Sequence, residues 1–185
     1  MITPSDHSVI ISPVEALDPE LSKMIGNEIL RSFGLRTETK PLLNDVAFAL
    51  DPNRNQHHST VILKKLADLA PAGAIRVLAV TRVDLFIPIL THVYGEAQLG
   101  GKACIVSTNR LDEGLSVGNR ETFFQRIVKE AVHELGHTFN LRHCQDHSCI
   151  MHYCRSIRDV DRKTDQLCRY CRILLADELK LLSST

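Results

Sequence analysis

Tryptophan is absent from this 185-residue chain, and aromatic residues make up only 5% of it. So few rings disfavour a surface that stacks nucleobases. An excess of charge of one sign is also missing, since 22 Lys and Arg balance 22 Asp and Glu. Without a net field, a nucleic-acid partner is not expected. The sequence holds no run of 18 apolar residues, so no spanning helix and no membrane partner are expected. The opening MITPSDHSVIISPVEALDPE lacks a basic segment leading into an apolar one and does not match a secretory signal. Six cysteines without such a signal point to reduced thiols and metal binding rather than disulfides, and to a cytoplasmic location. The 44% hydrophobic and 24% charged content suits one soluble globular domain with a sizeable core.

The chain reads as alternating elements. Ser8 to Ser12 is a β-branched run and a strand. Val14 to Phe33 has helical spacing at Leu17, Leu21, Met24, Ile25, Ile29 and Leu30, with Gly34 placed to end it. Leu35 to Lys40 is a weak strand, and Asp51 to His58 a polar loop. Ser59 or Thr60 is placed to cap a helix running to about Leu69. Ile75 to Val83 is a buried strand. Val93 to Ala97 and Ala103 to Ser107 are two more, joined through Gly100 and Gly101. A helix follows from about Glu121 through Phe139, and Asp165 to Leu182 returns to helical spacing. The order β-α-β-α-β-β-β-α predicts an α/β (α+β) fold, a mixed twisted sheet with helices packed on it. After His143 the chain turns Cys-rich and basic. This marks an N-terminal subdomain, 1–140, and a small C-terminal one, 141–185, within a single domain.

The chemistry concentrates in His133-Glu134-Leu135-Gly136-His137, with a third histidine at His143. Positions i and i+4 share a helix face, so His133 and His137 can address one ion. His143, brought back by a turn, completes three neutral ligands and leaves a position open, the pattern of a catalytic zinc rather than a structural one. Such a zinc lowers the pKa of its water towards about 7 and polarises a carbonyl. Glu134 then takes the water's proton and returns it to the leaving amine. HExxH alone arises by chance in about a few per cent of chains this long; the third histidine lowers that by more than about tenfold. The return to His143 needs a sharp helix end. Asn140 is placed to supply it, because Asn tolerates the left-handed conformation better than other non-Gly residues.

The extended motif resembles HExxHxxGxxH, the metzincin signature, with Asn140 at the glycine position. The tail Cys144-x4-Cys149-x-Met151, then Cys168-x2-Cys171, is similar to the archaemetzincin branch of zinc metalloproteases. Its gap after Met151 is one residue shorter than in the family pattern. The resemblance covers about residues 133 to 171 and implies a zincin-like fold, a Met-turn at Met151 beneath the metal, and the four cysteines accompanying the catalytic motif. Met151-His152-Tyr153 resembles the turn of astacin-like metzincins, which makes Tyr153 a candidate donor to the oxyanion. A thiolate quartet suits structural zinc, giving two zinc ions per chain. Cys154 and His147 are alternative ligands that the family spacing omits. Cys104, in a strand, is a buried small hydrophobe.

In metzincins a strand edge above the zinc binds the substrate backbone, and Tyr94, Gly95, Glu96 and Ala97 occupy the corresponding rim. The expected partner is a peptide or protein substrate, with a monomer favoured. About 130 residues precede the motif, which leaves little room for an inhibitory propeptide and implies a restricted substrate set. Two other readings compete. Arg142, Arg155, Arg158, Arg162, Lys163, Arg169 and Arg172 outnumber the acids of that stretch, as in a zinc-stapled module binding nucleic acid or an acidic protein. A pseudoenzyme that keeps zinc for stability is the other, and Glu134 argues against it.

Overall fold

The computed structural model describes residues 8–183. A five-stranded sheet forms the frame. Strands β1 (Ser8–Pro13), β2 (Arg36–Thr39), β5 (Ala74–Thr81) and β8 (Ala103–Ser107) run parallel, and β7 (Gly95–Ala97) closes one edge antiparallel to β8, in the order β2-β1-β5-β8-β7. A three-stranded piece joins β3 (Leu50–Asp51), β4 (Gln56–His58) and β6 (Leu85–Phe86).

Alternation along the parallel strands sends side chains to two cores. Val9, Ile11, Leu78, Val80, Cys104 and Val106 face helices α1 (Pro19–Phe33) and α3 (Arg120–Thr138). Ile10, Val77, Ala79, Ala103 and Ile105 face α2 (Ser59–Asp68), which supplies Ile62, Leu63 and Leu66. Helix α3 presents Phe124, Ile127, Val128, Ala131, Val132 and Leu135 to the first core at helical spacing. Its opposite stripe carries polar residues to the C-terminal segment, which holds α4 (Ile157–Arg162) and α5 (Arg169–Ser183).

Several boundaries differ from the sequence reading. The first helix starts at Pro19 rather than Val14. Asp18 caps it, accepting from the Glu20 N–H at 2.9 Å, and Pro19 occupies the first turn, where a missing N–H costs nothing. Asp51 to His58 is not all loop, since it contains β3 and β4 with Asn55 left-handed at φ 52° between them. Ser59 and Thr60 do not cap α2; both hydroxyls donate instead to the Glu96 carboxylate on β7. Val93 falls outside β7 and bridges Leu85. The last helix begins at Arg169 rather than Asp165. Cys104 is fully buried as expected. Among the described residues, no helix is long and apolar enough to cross a membrane.

Candidate functional site

The last turn of α3 lies beside β7, and the Gly100 N–H donates to the His137 carbonyl at 2.9 Å. Gly136 makes this turn thin. A Cβ there would stand 2.5 Å from Met151 Sδ, so Met151 packs directly against the helix between His133 and His137. The helix then ends in a Schellman arrangement, with Asn140 N–H on the His137 carbonyl at 3.0 Å and Leu141 N–H on that of Gly136 at 3.2 Å. Asn140 sits at φ 60°, as the sequence required, and its amide also donates to Glu178 of α5 at 2.9 Å. This turn returns His143 to the other two histidines.

The three imidazoles converge. One ring nitrogen from each of His133, His137 and His143 lies within 4.8 Å of the others. His133 Nδ1 donates to the Ile150 carbonyl at 2.8 Å and His137 Nδ1 to that of Leu141 at 2.6 Å. Those bonds commit the Nδ1 protons and leave each Nε2 lone pair for an ion. The two Nε2 atoms stand 3.1 Å apart. A tetrahedral zinc with its usual Zn–N bond requires an edge of about 3.3 Å, so the residues fit that ion. Burial first, then the Lys163 ammonium, lowers the His133 pKa well below its usual value; burial brings His137 down to about 4. Neutral imidazole is the form that binds a metal.

Glu134 lies 6% exposed in the floor of the same cleft. Burial, with Glu130 and Glu96 adding repulsion, pushes its carboxyl well above the usual carboxylate range. Gly95 explains how β7 reaches this floor. A Cβ at that position would come 2.5 Å from Glu134 Cγ and 2.6 Å from the Ile105 carbonyl, so only glycine lets the strand lie on the carboxylate. The cleft, of about 680 Å³, is lined by Tyr94, Gly95, Glu96 and Ala97 on one side and by the histidines, Tyr153 and Arg155 on the other. The Tyr153 ring is 4.8 Å from that of His143 and remains 39% exposed. His133, Glu134, His137, His143, Tyr153 and Tyr94 to Ala97 therefore share one cleft, with Met151 buried beneath it.

The four cysteines form a second cluster. The sulfurs of Cys144, Cys149, Cys168 and Cys171 lie within 4.8 Å of one another, and none of the six cysteines is in a disulfide. Cys144 Sγ and Cys168 Sγ are 3.8 Å apart. That is about the edge of a tetrahedral zinc–thiolate site and nearly twice a disulfide bond length. Backbone N–H groups of Asp146, Cys168 and Cys171 point at the sulfurs of Cys144, Cys149 and Cys168, which suits thiolates. The alternatives separate out: Cys154 lines the catalytic cleft, and His147 meets His152 with ring nitrogens 3.0 Å apart.

Lys163, counted with the basic surface of 142–172, is buried, and its Nζ pairs with Glu130 Oε1 at 2.7 Å behind His133. Arg126 and Asp161 form a bidentate pair nearby, with bonds of 2.7 and 2.8 Å. Of the seven cations of that stretch, Lys163 is internal, while Arg142, Arg155, Arg158, Arg162, Arg169 and Arg172 face solvent.

The geometry of Asn140 carries a prediction. Asn140→Val should weaken zinc binding at the histidines by about tenfold, because a β-branched residue resists positive φ and His143 would lose its return path. Chelator competition measures this, and a wild-type affinity would remove the turn from the account.

Comparison with known proteins agrees with this geometry. The description of peptidase family M54 matches residues 60–177. The archaemetzincin of Methanocaldococcus jannaschii is 36% identical over 172 residues, 91% of this chain and 93% of that protein. That of Archaeoglobus fulgidus is 31% identical over 163 residues, 88% of this chain and 95% of its own. The crystal structure of the Methanopyrus kandleri archaemetzincin superimposes with a TM-score of 0.85 at 31% identity, over 97% of this chain and 99% of that one. With its histidine cleft, its cysteine cluster and this coverage, the chain belongs to peptidase family M54, the archaemetzincins, and is a zinc metallopeptidase.

Proposed function

We propose that the chain hydrolyses peptide bonds with Glu134 as general base, and that it holds two zinc ions, one at His133, His137 and His143 and one at Cys144, Cys149, Cys168 and Cys171. The observation that carries this is the convergence of three ring nitrogens, two of them oriented by backbone carbonyls, beside a buried carboxylate. Zinc bound there supplies Lewis acidity toward the scissile carbonyl and acidifies water. Glu134 accepts the proton of the attacking water and delivers it to the departing amine nitrogen. The Tyr153 phenol donates to the developing oxyanion. The edge of β7, from Gly95 to Ala97, hydrogen-bonds the extended substrate backbone, since β8 occupies only its other side. Met151 packs under the histidine turn and fixes its height.

The whole chain, 1–185, acts as one catalytic domain. Its 1–140 part supplies the sheet and active-site helix, and its 141–185 part the Met-turn and the cysteine site. A thiolate cluster without disulfides supports a reducing, cytoplasmic setting. The substrates of this reading are peptides or a limited set of sites in proteins. Metal analysis with peptide-library cleavage tests the reading. Two zinc ions per chain and cleavage of short peptides, with folded proteins and casein spared, are expected. One ion per chain would remove the cysteine site, and vigorous casein digestion would remove the restriction.

A further inference from the structure

We propose that the buried Glu130–Lys163 pair positions His133, holding the Ile150 carbonyl that orients its ring; this rests on the histidine site proposed above. The Lys163 side chain is 0% exposed and that of Glu130 4%. Two apolar side chains of similar volume would stabilise such a place as well or better, because two ions must be stripped of water to enter it. Stability alone therefore does not account for the pair.

Its connections do. Lys163 follows α4 and reaches Glu130, one helical turn before Glu134. Its Nζ also stands 3.4 Å from His133 Nδ1, whose proton is held by the Ile150 carbonyl. The residues after it pair with the Met-turn segment. Thr164 N–H and its hydroxyl donate to the Ser148 carbonyl at 2.9 and 2.7 Å, and Ile150 N–H donates to that of Gln166 at 2.9 Å. The Ile150 carbonyl in turn accepts from His133. The path leaves α3 at Glu130, crosses through Lys163 and the 164–166 segment to Ile150, and returns to α3 at His133. The ion pair and the backbone hydrogen bonds together close a circuit that fixes the carbonyl relative to the ring. An apolar pair would keep the segments in contact without fixing their direction, since flexible side chains such as Met allow sliding.

The test is a Glu130→Met/Lys163→Met double variant of the full chain, titrated with a zinc chelator beside wild type and His143→Ala. The release step missing from His143→Ala identifies the histidine site. The double variant should unfold at or above the wild-type midpoint, yet hold histidine-site zinc about 10–100-fold more weakly, the usual scale for partners of a ligating histidine. The thiolate step should not move. An unchanged histidine-site affinity in the folded double variant overturns the positioning role alone. No step missing from His143→Ala overturns the histidine site and the proposal with it. If the double variant does not fold, Glu130→Gln decides by the same loss or its absence.

Discussion

Glu134→Ala should lower peptide turnover by about 10²–10⁴-fold, the range of a positioned general base, while zinc content stays at the wild-type value. Three carboxylates line the cleft. Glu130 is paired with Lys163, and Glu96 accepts from Ser59 and Thr60, so protonating either would weaken the contacts that hold it. Glu134 follows His133 directly on α3 and lies against β7, between the histidines and the substrate edge. Losing its side chain removes the base but no imidazole, so the ion remains. Turnover and metal content on the same preparation separate the two effects. Activity within tenfold of wild type would assign the proton transfer elsewhere. Loss of zinc together with activity would make Glu134 part of the metal's support. The contact with Gly95 sharpens the expectation: the alanine variant opens a gap under β7 that water can fill, and water cannot restore the lost basicity.

The parts of this site visible in sequence were those with short-range order. His133 and His137 are four residues apart on a helix whose apolar spacing announces it, and Asn140 stands where the chain must turn. Strands β5 and β8 are apolar runs of the buried parallel type. What escaped had no periodicity to carry it. Strands β3, β4 and β6 are two or three residues long. Helix α4 is six residues long, although Ser156 and Asp159 form a capping box that marked its start. Asp18-Pro19 marked the true start of α1 in the same way. Lys163 looked like one of seven surface cations, because the carboxylate that buries it lies 33 positions earlier. Long-range ion pairs leave no local pattern. The Gly95–Glu134 approach is of the same kind, with only a glycine in a strand to hint at it.

Cys168→Ser should cost one zinc ion and several kcal/mol of stability. A structural zinc contributes about 10–16 kcal/mol to folding of small zinc-finger peptides, and whole domains are stable by only about 5–15 kcal/mol. The serine hydroxyl does not ionise near neutral pH, so three thiolates would remain with an open coordination position. Besides the ion pairs of Asp161 and Lys163 with α3, the segment they bind has only a small apolar core. Its buried apolar residues are Ile150, Met151, Val160, Leu167 and Leu175, alongside Cys149 and Cys171. Unfolding in denaturant at fixed zinc, with metal counted on the same sample, should show a lower midpoint and one ion per chain. The loss should also reach the histidines. Cys144 directly follows His143, and its N–H donates to the Met151 carbonyl at 2.9 Å. Cys149 directly precedes Ile150, whose carbonyl holds His133. Releasing the cysteines therefore loosens both the third ligand and the support of the first, and histidine-site zinc should dissociate more readily. Two ions and an unchanged midpoint in Cys168→Ser would show that Cys168 is not needed to hold the second ion. One ion with wild-type zinc affinity at the histidines would show that the two sites, though a single peptide bond apart at His143 and Cys144, act independently.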